Sequence, residues 1–285
     1  MSFELGVATV LDDESRVALV ARAYKKLGKP IVLVPLGSGI HAGHVALVRA
    51  AEAIRGGIVI VAVETLGEGD QELLAREGVD VVWVYVPDAP RTLVLPVDHG
   101  LENTTELATS LTRALRLINA VGATDVVAGE KDYEELLALN AALHDLHLGV
   151  RLQGVPTVRM PDGVAMSLRN AGVAEDAREQ AEALSAALTA GAHAAEHGAE
   201  AVLDVARSVL GAAGVEPEYL EVRGRDLGPA PEQGDARLLV AATVGGVRLI
   251  DNVGLPLGIG FRNLEEYEAQ QEAQREAARA EEDQA

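Results

Sequence analysis

Residues 31 to 50 read IVLVPLGSGIHAGHVALVRA. Ile31 to Val34 is a solid apolar run, a Pro/Gly-rich bend follows, and beyond it Val45, Leu47, Val48 and Ala51 recur at helical spacing. The stretch reads as strand, loop and helix. In the joint lies His41-Ala42-Gly43-His44. Two imidazoles stand three residues apart at a helix start, where unpaired N–H groups and the positive end of the helix dipole attract phosphate. Gly43 leaves the backbone open to a flat ligand, and Gly37 falls in the bend just before. Two unrelated surface histidines would look the same in isolation; the strand before and the helix after favour a phosphate site.

Working outward, residues 1 to 27 hold a weak leading strand and an amphipathic helix with Val17, Val20, Ala21 and Tyr24 on one face. After Gly56-Gly57 come a buried strand at 58–63, a short polar helix at 69–76 and a third apolar strand at 79–86. Residues 87–103 read as loop with a small strand at 93–97. Leu107, Leu111, Leu115 and Ile118 mark a core-facing helix over 106–121. A short strand at 126–128 runs into Gly129-Glu130-Lys131-Asp132-Tyr133 and a helix to Leu146. Strands alternating with helices predict a parallel sheet with crossover helices. Ligands bind such sheets at the carboxyl ends of the strands, which both the His41–His44 and Gly129–Asp132 segments leave. Lys131 offers phosphate a compact cation; Asp132 can cap its helix or accept hydrogen bonds from ribose hydroxyls.

From Gly154 the sequence GVPTVRMPDGVAMSLRN reads as a structured loop, in which Ser167 and Arg169 are spaced to clamp phosphates. Helices at 174–191 and 198–214 and strands at 219–222, 238–243 and 247–251 then predict a separate α+β domain. The expected organisation is an α/β, doubly wound parallel-sheet nucleotide-binding domain at 1–159, a smaller C-terminal α+β lid domain at 160–262, and a charged helical or disordered tail at 263–285.

Composition narrows the chemistry. Among 285 residues there is no cysteine, which excludes disulfides and thiolate metal sites. A formal charge of −20 argues against a nucleic-acid surface, so an anionic substrate must be met by a few local cations. No apolar run reaches the roughly 18 to 20 residues of a membrane span, and the acidic start lacks signal-peptide character. A cytoplasmic protein is expected.

Taken together, P-x-x-x-x-I-H-x-G-H at 35–44, G-E-K-D-Y at 129–133, G-V-P-T-V-R at 154–159, D-G-V-A-M-S-x-R-N at 162–170 and R-L-I-D-N at 248–252 resemble the pantothenate synthetase (pantoate-beta-alanine ligase) family. The H-x-G-H is likewise the signature of nucleotidyltransferase-type folds. The resemblance covers nearly all of the chain but the tail. It implies a homodimeric enzyme in which Mg-ATP and pantoate give pantoyl adenylate and pyrophosphate, and beta-alanine then displaces AMP. By motif, His41 and His44 resemble the pair on the phosphates, with His44 the proton donor. Lys131 resembles a phosphate contact, and Gly129 and Asp132 the ribose contacts. Val158 and Met166 match residues beside adenine, and Ser167 and Arg169 the groups on the triphosphate.

The departures fall on the acid side. The family's P-T-M-G-A-L-H bend is here Pro35-Leu36-Gly37-Ser38-Gly39, and F-V-N-P-x-Q-F, which grips pantoate, is Val63-Glu64-Thr65-Leu66-Gly67. R-P-x-H-F is replaced by Asn103-Thr104-Thr105-Glu106-Leu107, the second pantoate glutamine is Glu135, and one lid serine is Leu168. Glu64 or Glu135 in place of amide donors would oppose a carboxylate, and each unmet buried group costs about 1–3 kcal/mol. Glu135 would equally suit a hydroxyl-rich or cationic substrate, or face solvent. The nucleotide half is kept and the acid half rewritten. The leading reading is an adenylate-forming acid-amine ligase; the alternatives are a non-catalytic nucleotide-binding paralogue serving as partner or regulator, and a nucleotidyltransferase with a phosphorylated co-substrate.

Overall fold

The computed structural model describes residues 4–259. Six strands, β1 (Thr9–Leu11), β2 (Ile31–Pro35), β3 (Ile58–Val63), β4 (Val81–Val84), β5 (Asp125–Gly129) and β6 (Arg151–Val155), form one sheet in the order β1-β4-β3-β2-β5-β6. Every pair is parallel. Helices α1 (Glu14–Lys26), α2 (Ala42–Glu52), α3 (Asp70–Arg76), α4 (Thr104–Val121) and α5 (Tyr133–Asp145) make the crossovers.

The solid apolar run of β2 is explained by burial on both faces. Ile31 and Leu33 pack with Val17 and Ala21 of α1 and with Leu111, Leu115 and Ile118 of α4. Val32 and Val34 turn the other way, onto Leu47, Val48 and Ala51 of α2 and Leu74 of α3. Each such fully buried aliphatic side chain contributes about 1.5–3 kcal/mol. From β2 the chain winds through β3 to β4 on one side, then returns to lay β5 and β6 on the other. Neighbouring β2 and β5 therefore send their following loops apart and open a crevice at their carboxyl ends, the topological switch point of a doubly wound sheet.

Two local readings change. Residues 93–97 form no strand. Leu95 and Val97 are 71% and 72% exposed, and the Val94 N–H donates to Thr112 Oγ1 (2.9 Å) instead of to a neighbouring strand. The edge strand β6, whose pattern is mostly exposed, carries no alternation that would announce it. It is held by its ladder to β5 and by Arg151 on Asp125 (2.8 Å).

Compact packing divides the chain later than position 159: one unit runs through Arg178 and takes back Val244–Asp251, and the other holds Glu179–Thr243 and resumes at Asn252. Helix α6 (Arg178–His193) starts after a 3-10 turn at Glu175–Ala177, later than the expected 174; α7 (Ala199–Ala212) follows. Gly191 of α6 is small for a reason, since a Cβ there would lie 2.8 Å from Leu238 Cδ2 and 3.1 Å from the Val202 carbonyl oxygen. Strands β7 (Tyr219–Gly224), β8 (Gly234–Val244) and β9 (Val247–Leu257) form a three-stranded sheet in sequence order, β7 and β8 antiparallel. The tail expected at 263–285 lies outside the described residues.

Candidate active site

His41 is the N-cap of α2. Its Nδ1 accepts the Gly43 N–H at 3.1 Å, which leaves Nε2 as the ring's donor. The His44 ring stacks on it, centroids 3.7 Å apart and planes 23° from parallel. Gly43 permits this arrangement: a Cβ there would stand 2.8 Å from His41 Cε1. The glycine therefore makes room for the capping imidazole, where the sequence suggested room for a ligand. Burial lowers the pKa of His41, and the Lys131 charge adds to the effect. His44 is pushed down to about 4 by burial and by His41, with the Gly39 backbone pulling the other way. Both rings are neutral at pH 7. His44 Nδ1 is buried with no hydrogen-bond partner among the described residues; with the neutral ring's one N–H engaged by the Gly39 backbone, it can donate to a ligand's phosphate oxygen only when the ring takes a second proton.

A cavity of about 410 Å³ occupies the switch point, walled by the ends of β2 and β5, by α2, α4 and α5, and by the segment 155–169. It brings together Gly37, Gly43, His44, Gly129, Lys131, Asp132, Val158, Met166 and Arg169; Glu135 lines it as well. His41, Ser167 and Glu64 are not in the wall but touch it indirectly. His41 stacks on His44, and Ser167 Oγ accepts the Arg169 N–H at 3.2 Å. Glu64 receives Arg113 Nη1 at 2.8 Å. Asp132 sits at the N-cap position of α5 but makes no side-chain cap bond, so its carboxylate is left for other partners.

The sequence was least informative about the α4 side of the same cavity, where Ser110, Arg113, Ala114 and Leu117, with Tyr85 and Glu135, complete the lining. Ser110, Arg113 and Leu117 lie at i, i+3 and i+7, a stripe beside the aliphatic one by which the helix is recognised, and that spacing is the signal that could have found them. Burial and Asp132 raise the Glu135 pKa to about 7 against a Ser110 hydrogen bond and the charges of Arg113 and Arg169. Tyr85 donates to the Leu36 carbonyl oxygen at 3.2 Å, and burial followed by Glu64 raises its pKa.

Two of the sequence motifs serve the scaffold. Arg159 of G-V-P-T-V-R forks onto the buried Asp251 of R-L-I-D-N at 2.6 and 3.1 Å. Arg248 forks onto Glu102 at 2.6 and 3.1 Å.

With this geometry in place, similarity to known proteins is informative. A family model described as pantoate-beta-alanine ligase matches residues 65–254. Pantothenate synthetase of Corynebacterium jeikeium (strain K411) is 41% identical over 294 residues, covering 93% of this chain and 96% of that protein. The crystal structure of pantothenate synthetase from Thermus thermophilus superposes with a TM-score of 0.74 at 26% identity, covering 86% of this chain and 98% of that one. A pantoate-beta-alanine ligase from Francisella tularensis, complexed with beta-gamma ATP and beta-alanine, shares the fold (TM-score 0.68, 21% identity, 86% of this chain and 97% of that one).

Proposed function

Since the chain belongs to the pantoate-beta-alanine ligase family, we propose that it joins a pantoate-type acid to beta-alanine with cleavage of ATP, through an acyl adenylate. An oxygen of the acid's carboxylate attacks the α-phosphorus, and the bond to pyrophosphate breaks. The amine nitrogen then attacks the acyl carbon, AMP departs, and the ammonium proton is lost to solvent. The observation that carries this reading is the convergence of His44, Lys131 and Arg169 in one cavity at the switch point, with His41 stacked behind.

The residue roles follow from charge and position. His41, His44, Lys131 and Arg169 stabilise the charge that builds on the phosphates, as donors fixed before the reaction begins. The neutral His41 ring donates through Nε2; a polyphosphate beside the pair favours the His44 imidazolium, which gains a second N–H and lets His44 act as proton donor. Gly129 and Asp132 hold the ribose, Val158 and Met166 flank the adenine, and Ser167 sets the turn that presents Arg169. Gly37 lets the nucleotide approach the backbone of the bend, and Gly43 serves the same site by seating the His41 ring. Mg²⁺ would arrive on the phosphates of ATP. Among the described residues no helix is long and apolar enough to cross a membrane. A homodimer working in the cytoplasm completes the proposal, on the family resemblance.

The test is AMP and pyrophosphate release from Mg-ATP with pantoate, with and without beta-alanine, beside a panel of other small acids. Acid-dependent AMP release that beta-alanine accelerates is the expected result. ATP binding with no AMP from any acid would overturn the ligase reading in favour of a non-catalytic nucleotide-binding protein.

A further inference from the structure

Arg169 reaches the cavity from segment 166–172, which is pinned on one side by its own chain. Asn170 Nδ2 donates to the Ala165 carbonyl oxygen at 2.9 Å, and the Met166 N–H to that of Val158 at 2.8 Å. Gly172, at the end of the 3-10 turn Leu168–Gly172, abuts Val247: a Cβ there would lie 3.2 Å from Val247 Cγ2. On its other side the segment meets the histidines through two apolar side chains. A Cβ on Gly43 would lie 3.8 Å from Met166 Cβ, and a Cβ on Gly39 would lie 3.4 and 3.9 Å from Leu168 Cδ1 and Cδ2. Leu168 remains 50% exposed, so what it covers is the bend and not a core. Gly39 has φ +76°, a conformation glycine adopts without strain, and its backbone accepts the His44 N–H. Neither Leu168 nor Gly39 lines the cavity; Arg169 and His44, to which they lead, both do. Positions 39 and 168 are also two of the departures from the family pattern, glycine standing for the alanine of the bend and leucine for a lid serine. In space they are one change, a smaller residue beneath a larger one.

We propose that Leu168 is a positioning residue that clasps the phosphate loop onto the bend, so that Arg169 and His44 stand in place around the phosphates before ATP arrives. The proposal deepens the ligase reading above, and its kinetic arm rests on that reading. A leucine holds the loop without any ligand, because the apolar area it shares with Gly39 is removed from water whether or not nucleotide is present. Ordering the loop in advance removes a cost that would otherwise be met on binding. That cost falls alike on the ATP complex and on the transition state, so its return raises KM for ATP and leaves kcat in place. The clasp also keeps water from His44, since Met166 and Leu168 lie over the segment that carries it. Burial is the main cause that holds this imidazole down to about 4, with His41 adding to it, and the ring therefore reports whether the loop is seated.

The experiment compares the wild type with Leu168→Ala and Leu168→Met. Three quantities are measured on each protein: KM for ATP with kcat for AMP release, the titration of the His44 ring by NMR without nucleotide, and Tm. In Leu168→Ala the KM for ATP should rise roughly five- to tenfold, the worth of a half-buried leucine contact, with kcat within about threefold. The His44 ring of the free protein should titrate higher, moving from about 4 toward the ordinary 6.5. Leu168→Met fills the same space with a flexible chain and should stay within about twofold of the wild type. An unmoved His44 titration in Leu168→Ala, or an unchanged KM for ATP, would overturn the proposal; a lowered Tm alone is what a merely structural leucine gives. So would a fall in kcat at constant KM, or a Leu168→Met variant that behaves like Leu168→Ala. If the wild type releases no AMP with any acid, affinity for a non-hydrolysable ATP analogue takes the place of KM. Weaker affinity in Leu168→Ala together with the His44 shift then leaves the clasp standing while the ligase reading fails, and unchanged affinity removes the clasp.

Discussion

A methyl group at position 43 would collide with Cε1 and Nδ1 of His41, 2.8 and 2.9 Å away. Gly43→Ala should therefore displace the capping ring, break its bond to the residue 43 N–H and separate it from His44. Overpacking of this kind costs about 1–3 kcal/mol. The expected result is a Tm lowered by several degrees and AMP release reduced by about tenfold or more, checked by calorimetry and the AMP assay on one preparation. Glu135 gives a prediction with a sign. Burial and Asp132 hold its carboxyl near 7, above the ordinary value of 4.5. Between those values the folded protein keeps a proton that the unfolded chain has given up, so this residue's contribution to stability falls as pH rises from about 4.5 to 7 and is constant above. Glu135→Gln lacks that loss. Its Tm advantage over the wild type should widen across the window and then level off, and a constant difference would refute the assignment. Below pH 7 the protonated carboxyl is also a neutral donor, close in shape to the amide that the family resemblance places there.

At the scale of elements, the tie between Arg159 and Asp251 joins the segment after β6 to strand β9. Asp251 is 4% exposed. Asp251→Ala leaves a half-buried guanidinium without its fork, a change expected to cost about 3 kcal/mol and to appear as a lowered denaturation midpoint at unchanged m-value. Sequence alone showed these two motifs and could not show that they meet. Helix α4 teaches the same lesson. Its aliphatic stripe through Leu107, Leu111, Leu115 and Ile118 was legible because a 3.6-residue repeat needs no partner to be seen. Arg113 on the adjoining stripe acquires meaning only from Glu64, 49 residues earlier. The expected strand at 93–97 failed for the converse reason, since its apolar run is local while a strand needs a neighbour with free hydrogen-bonding groups.

For the whole molecule, the parallel sheet and the polar loops at its carboxyl edge were open to reading, because each rests on short-range patterns: an apolar run, a bend, a helical repeat. The α4 side of the cavity was not, because residues 35–37, Tyr85 and helix α4 build it from segments whose spacing along the chain encodes nothing about their contact. Glu64 and Glu135 were singled out by contrast with a family pattern, and only their surroundings distinguish them, one carboxylate paired with a cation and one kept near neutral. Strand order carries a last consequence. The Ile31 N–H is bonded to Thr124 Oγ1, 93 residues further on, and β2 pairs directly with β5. During synthesis the two histidines emerge from the ribosome well before the strand that forms the other lip of their crevice. A nascent chain ending short of Gly129 carries His41 and His44 without Gly129, Lys131 and Asp132, so the cavity they line is complete only once β5 has been made and has reached its place beside β2.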